Sequence, residues 1–450
     1  MSRTDARDAA VADRSRVAVR GLRARFLRLA LINALANLTV PLAGLVDTAM
    51  LGHLGQIHHL AGVGLGSILF DYLYWTFGFL RMATTGRTAQ AVGRGDREEV
   101  MLLLLRSLLL AVAIASALLA LQAPLRDLGF WILSGDVAVE DAGRAYYDAR
   151  IWGALPALAN FAFLGWYLGR EQVNHVLLMT VVANASNVAL DYLFIVRLGL
   201  EAYGAGLATM ISQYLMLVTA LVLFARGRPH VRVSWRRILE RAPLFDLLRL
   251  NRDILIRTFC LITAFSAFTN LSAVIGTGTL AANLILLRIV NTAAYLIDGV
   301  AFATESLAGV FKGAGDVAAL RRLLRLAMLW GEGLAFGVLL ALQLFPDPIY
   351  ALLTSHADVI AAIRTVDAWL IVALPLGAAA YIFDGFFLGL ATGRILRNAM
   401  LLALFAGFAP LAGAAYALDS NPLLWLALTL FFAFRAATLG WARRAVMPAA

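Results

Sequence analysis

The sequence predicts an all-α polytopic membrane protein, with twelve transmembrane helices in two pseudo-symmetric six-helix bundles. Three observations lead there. Hydrophobic residues make up 61% of the 450 and charged residues only 15%, where a soluble domain carries about 25% charged residues. The mean hydropathy is +0.80, so lipid must cover most of the surface. The apolar residues fall into twelve runs, and the second six echo the first six.

In order, the runs are 25–53, 60–82, 99–123, 145–168, 172–196, 203–225, 252–275, 279–310, 323–345, 362–390, 395–417 and 421–442. Each is long enough to cross a bilayer core. Residues 1–24, rich in Arg, Ala and Asp, read as a solvated N-terminal tail; the apolar run that follows is too long for a cleavable signal. Runs one to six make an N-lobe over 25–225, a basic linker occupies 226–251, runs seven to twelve make a C-lobe over 252–442, and 443–450 is a C-terminal tail.

Twelve spans put both termini on one side, and arginine selects that side. The tail carries Arg14, Arg16, Arg20, Arg23 and Arg25; the loop after span 2 has Arg87, Arg94 and Arg97. "ARGRPHVRVSWRRILERAP" follows span 6, and Arg321, Arg322 and Arg325 follow span 8. The loops after spans 1, 7 and 11 hold no Lys or Arg. The positive-inside rule then makes both termini cytoplasmic. The same distribution explains the net charge of +10 as topology, not as a nucleic-acid surface.

The internal repeat shows as "HLAGVG" (59–64) against "TLAANL" (279–284) and "GRGD" (93–96) against "GAGD" (313–316), both offset by 220. "FLGWYLGREQVN" (163–174) matches "FLGLATGRILRN" (387–398) at an offset of 224. Repeats of the same polarity make two lobes related by an axis along the membrane normal.

Polar residues inside the spans are the candidates for function, because a charge in lipid is expensive unless paired, hydrated or protonated. Asp47 lies about six residues before the outer end of span 1, roughly 9 Å deep at ~1.5 Å per residue. Asp191 lies at a similar depth in span 5, with Asn187 four residues earlier on the same helix face. Thr209 is about seven residues into span 6, and Asn160 in span 4 is a looser candidate for the same cavity. A carboxyl group shielded from water holds its proton more tightly and can exchange it near neutral pH. The same Asp–Asn–Asp–Thr set offers oxygens to Na+, and its plain alternative is helix-to-helix hydrogen bonding.

Asp71 in span 2, Asp298 and Glu305 in span 8 and Asp384 in span 10 are candidates for substrate binding or gating. The structural alternative pairs Asp298 with Arg288 or with Arg435 of span 12. His53, His58 and His59 cluster beside the first outer loop with no carboxylate or cysteine near them in sequence, and read as solvated, not as a metal site. Cys260 is the single cysteine, which excludes an internal disulfide. Lys312, the single lysine, follows no P-loop, and no serine elbow or zinc motif is present. Transport driven by an ion gradient fits this inventory better than catalysis, with no cofactor beyond the coupling ion.

"PLAGLVDTAMLGHLG", "NVALDYLFIVRLGLEAYGAGLATMISQY", "NRDILIRTFCLITAFSAF", "AYLIDGVAFATES" and "YIFDGFFLG" resemble the MATE family, multidrug and toxic compound extrusion, most closely its DinF-like branch. The resemblance covers residues 25 to 442. It implies two six-helix bundles, a V-shaped outward-open form, and export of cationic or amphipathic compounds against inflow of H+ or Na+. The family's first-helix aspartate falls on Asp47 and its span 5 aspartate on Asp191; Asn187 and Thr209 match positions that complete that site. The expectation is therefore a monomeric antiporter of the bacterial inner membrane, with H+ as coupling ion and Na+ as the alternative at the same residues. A flippase for lipid-linked saccharides is the rival, although it calls for a more cationic interior than these spans provide.

Overall fold

The computed structural model describes residues 21–52, 57–133, 135–227 and 233–447. Among them every regular element is helical, as a chain in lipid requires: a helix satisfies its own backbone polar groups within one segment. Helices α1 (Leu22–Gly52), α2 (Ile57–Phe77), α3 (Phe79–Arg94), α4 (Arg97–Ala120), α5 (Gln122–Ile132), α6 (Val137–Arg150), α7 (Ala154–Gly169), α8 (Val173–Asp191) and α9 (Glu201–Gly227) come first. A one-turn α10 (Trp235–Ile238) precedes α11 (Arg241–Ile275), α12 (Thr277–Ala314), α13 (Val317–Leu344), α14 (Pro346–Leu353), α15 (Ala357–Arg364), α16 (Leu370–Gly389), α17 (Gly393–Leu402), α18 (Ala409–Ala417) and α19 (Asn421–Val446).

Eleven helical stretches among the described residues are long and apolar enough to cross a membrane. With α1, the 31-residue helix of span 1, they account for the twelve runs. The helices α5, α14 and α15 fall mostly in the gaps between the apolar runs, and α6 joins α7 in the stretch 137–169. The chain divides into two compact units, 35–248 and 249–450 together with the start of the chain. In the latter, a side chain on Gly299 would meet the backbone of Ala30 and Ala34 at 2.8 Å.

The two units repeat one design at a constant offset of 220. Gly95 and Gly315 end α3 and α12 in the left-handed conformation, with φ of 74° and 73°. Asp96 and Asp316 then cap α4 and α13 by accepting from the N–H groups of Glu99 and Ala319. α7 ends at Gly169 and α16 at Gly389; the next turns hold Glu171 and Ala391 at positive φ. At the centre of each unit two helices touch backbone to backbone. Gly165 and Gly169 of α7 lie against the carbonyls of Arg81 and Thr85; Gly385 and Gly389 of α16 lie against those of Ala301 and Glu305.

These contacts correct the offset of 224 read for the third sequence match. The structural register pairs Phe163 with Phe383, Gly165 with Gly385, Leu168 with Leu388 and Gly169 with Gly389. Glycines recur every four residues in these helices, so a slip of one turn matches itself almost as well. The central position of α7 and α16 is also visible in burial. Of the apolar window in 137–169, 78% is buried, and in 367–389, 67%, against 22% for α9.

The linker is held to the N-terminal unit by Arg106, which is 1% exposed in α4. Its guanidinium donates to the carbonyls of Arg237 (2.7 Å) and Ile238 (3.3 Å) at the end of α10 and to Glu99 (3.3 Å).

Gly169→Val and Gly389→Val should each destabilise the protein by about 1–3 kcal/mol or more, as overpacking does, and should broaden its size-exclusion peak. Gly64→Ala, where a side chain would meet nothing within 4 Å, should leave peak and melting temperature unchanged.

Candidate functional site

In the N-terminal unit, α8 and α9 pack along their length and α7 packs against α9. Asp191 is the last α-helical residue of α8, and Tyr192–Arg197 continue as a π-helix. π segments inside helices are uncommon and gather at functional sites. Asp191 is 1% exposed and Asn187, one turn below it, is also buried. Thr209 of α9 donates its hydroxyl to the Ala205 carbonyl at 3.0 Å. One turn further on, Gln213 accepts from Asn160 Nδ2 through both its backbone carbonyl (3.0 Å) and its side-chain oxygen (3.1 Å). Asn160 Oδ1 and Asn187 Nδ2 have no hydrogen-bond partner among the described residues.

Asp47 lies within α1, but its side chain is outside the described ones. A link below it fixes the register of its helix. Asn184 of α8 donates to Thr39 Oγ1 of α1 at 2.6 Å. Spans 1 and 5 run in the same direction. Asp47 is eight residues beyond Thr39 and Asp191 seven beyond Asn184, or ~12 and ~10 Å along the helix axes. Three residues that the sequence reading did not single out, Thr39, Asn184 and Gln213, hold the helices that carry the candidate residues. All three were legible as polar positions one or two turns from those candidates.

Asp71 is exposed on α2, within electrostatic reach of Arg150. That guanidinium lies over Phe70 at 4.5 Å, with Tyr146 at 5.4 Å and Tyr74 at 5.8 Å, and donates to the Tyr146 hydroxyl. The histidine cluster differs from its sequence reading. His59 is buried, and its Nε2 is 2.8 Å from Glu201 Oε2, a carboxylate distant in sequence. His53 lies outside the described residues. No group of three His, Cys, Asp or Glu placed to hold a metal occurs among the described residues.

In the C-terminal unit the buried charges form a cluster. Asp384 of α16 accepts from Arg435 of α19 at 2.6 Å and from Arg257 of α11. These residues are 3%, 0% and 6% exposed. Arg435 also stacks against Tyr381, Phe431 and Phe432 at 5.2–5.9 Å. Asp298 is within electrostatic reach of Arg257 and Tyr381. The expected pairing of Arg435 with Asp298 is therefore corrected: its hydrogen-bonded carboxylate is Asp384. The reason is packing, since α16 runs against both α12 and α19 and presents Asp384 toward α19. Arg288 is exposed. Arg257 escaped notice because "NRDILIR" reads as a basic linker end. Glu305 is fully buried beneath the α12–α16 crossing.

The MatE family model matches residues 33–193 and 255–412, one segment in each repeat. The chain belongs to the MatE family. This MATE transporter is 35% identical over 424 residues to DNA damage-inducible protein F of Escherichia coli (strain K12), covering 92% of this chain and 91% of that one. It is 28% identical over 338 residues to a probable multidrug resistance protein NorM of Synechococcus, covering 72% and 71%. A MOP superfamily transporter from Pyrococcus furiosus superposes with a TM-score of 0.85 at 20% identity, over 94% of this chain and 96% of that one. At that identity the likeness shows the fold alone. Members of the family are transporters, not enzymes, and so is this protein.

Removing one member of a buried ionic cluster strands its partners, at about 3–5 kcal/mol, whereas replacing all of them with apolar residues is often neutral. Asp384→Ala should therefore lower the melting temperature in detergent sharply. The triple change Arg257→Met, Asp384→Leu, Arg435→Met should recover most of the loss.

Proposed function

We propose that this transporter is a cation-coupled antiporter that exports cationic or amphipathic compounds by alternating access, with H+ as the coupling ion bound at Asp47 and Asp191. The observation that carries the reading is Asp191, buried at the α-to-π junction of α8, in a helix whose link to α1 through Asn184 and Thr39 brings Asp47 to a similar height. Asn187 and Thr209 complete the site, and Asn160, held by Gln213, keeps one carbonyl oxygen for a cation or water. Na+ at the same four residues is the variant of this reading. Asp71 beside Arg150, together with Asp298, Glu305 and Asp384, is assigned to substrate binding, gating or support of the C-lobe.

The cycle follows from charge. Ionised carboxylates favour a cationic substrate. Protonation from the outer side removes that charge as the substrate leaves, and the neutral site favours return to the inward-open state. Loss of the proton toward the cytoplasm restores affinity. One pH unit supplies about 1.4 kcal/mol, and 100 mV about 2.3 kcal/mol per charge moved. The proposed setting is the bacterial inner membrane, with a monomer whose termini are both cytoplasmic. The relative named for multidrug resistance supports export as the direction. The flippase alternative needs cations free to meet a diphosphate, and the buried Arg257 and Arg435 are engaged by Asp384.

Proteoliposomes loaded with a fluorescent cationic dye test this. A pH gradient alone should drive efflux, and Asp47→Asn or Asp191→Asn should lower it at least tenfold at equal protein levels. Efflux that responds only to a Na+ gradient would replace the ion and keep the site. Undiminished pH-driven efflux in both variants would refute the assignment.

A further inference from the structure

A groove of 930 Å³ opens between α13 and α19 in the C-terminal unit, and its lining includes no residue of the proposed coupling site. Both helices rest on α16: Gly331 of α13 packs against Ile382, and a side chain on Gly440 of α19 would meet Phe383 at 3.4 Å. α13 starts at Val317 and α19 ends at Val446. Four arginines, Arg321, Arg325, Arg443 and Arg444, line the groove from those two helix ends, and Glu332 is the single carboxylate in its lining.

From the arginines the groove turns apolar. Met328, Leu329 and Phe336 line it, with Leu329 69% and Phe336 61% exposed. Residues 321, 325, 329, 332 and 336 follow the helical period along one face of α13. Fifteen residues span ~22 Å, which is close to one leaflet with its headgroups. Gly333 belongs to the same wall, and a side chain there would meet nothing within 4 Å. Glycine inside a helix weakens it, and no close packing requires one here; what it does is keep the channel wide.

We propose that this groove binds an anionic phospholipid, its phosphate against the four guanidinium groups and an acyl chain along the apolar channel past Gly333. Charge complementarity selects the headgroup: arginine pairs with phosphate through two parallel hydrogen bonds, and basic pockets between spans at the cytoplasmic side hold acidic lipid headgroups. A neutral headgroup brings no net negative charge to the arginine cluster, and a water-soluble phosphate leaves the channel unfilled. An amphiphile with a negative head satisfies both ends. Under the arginine-derived topology this lipid comes from the cytoplasmic leaflet. The proposal stands independently of the coupling ion and the exported substrate.

The test uses full-length protein in detergent, incubated with dioleoylphosphatidylglycerol or dioleoylphosphatidylcholine and weighed by native mass spectrometry. Phosphatidylglycerol should stay bound through detergent exchange and phosphatidylcholine should not. The variant Arg325→Gln, Arg443→Gln, Arg444→Gln should weaken phosphatidylglycerol roughly a hundredfold, at about fivefold per basic residue. Gly333→Trp, which fills the channel and leaves the arginines, should also lose the lipid. Removing three arginines elsewhere, by Arg94→Gln, Arg97→Gln and Arg226→Gln, should leave binding unchanged. Equal retention of both lipids, equal loss in the control variant, or wild-type binding by Gly333→Trp in a monodisperse protein would each overturn the proposal.

Discussion

The crossing of α7 over α3, and of α16 over α12, is the contact on which the rest of each unit hangs. Glycines four residues apart let two helices meet at backbone distance, so neither can slide or rotate by a fraction of a turn without a clash. The polar side chains of α7 and α16 are then fixed in direction. Asn160 lies five residues before Gly165 and reaches Gln213 of α9. Asp384 immediately precedes Gly385 and reaches Arg435 of α19 and Arg257 of α11. The position of each polar side chain follows from a steric contact of glycine with backbone.

One scaffold therefore carries two different interiors. The N-terminal unit holds a buried carboxylate on α8, Asp191, with the buried amide of Asn187 one turn below it on the same helix. The C-terminal unit fills its interior with a carboxylate between two guanidinium groups, backed by aromatic rings. An acid hydrogen-bonded by two arginines is held in place by both, which suits a structural role. The constant repeat offset makes the contrast direct, because the residues 220 before Asp384 and Arg435 are Leu164 and Leu215.

Much of this was legible in the sequence because lipid imposes simple rules. Apolar run length gave the spans, and acids within runs such as Asp191 and Asp384 marked themselves by their rarity. Other features were hidden for physical reasons. The glycine period of four allowed the third repeat match to slip by one turn. Arg257 and Arg106 were concealed because arginine near a loop normally reports topology, and only the fold shows these two turned inward. The pairing of His59 with Glu201 joins residues 142 apart in sequence, which no local pattern reveals. The π-helix after Asp191 has no sequence signature, since it differs from an α-helix by one hydrogen-bond register.

That π-helix has a counterpart in the second repeat, at Ala403–Phe408, and the two do not coincide. Subtracting 220 places the counterpart at 183–188, the stretch of α8 that carries Asn184 and Asn187. The first repeat keeps a regular helix there, so that Asn184 can reach Thr39 and Asn187 can sit one turn below Asp191. It puts its irregular turn just beyond the acid. The second repeat has Leu404 and Gly407 at the equivalent positions and places its irregular turn among them. A π segment gives up regular hydrogen bonding and persists where the packing around it compensates. In one repeat that compensation leaves the polar face intact and widens the helix next to Asp191. In the other it falls on an apolar wall. The divergence of the two lobes is thus written in backbone geometry as well as in side chains, and both changes meet on the helix that carries Asp191.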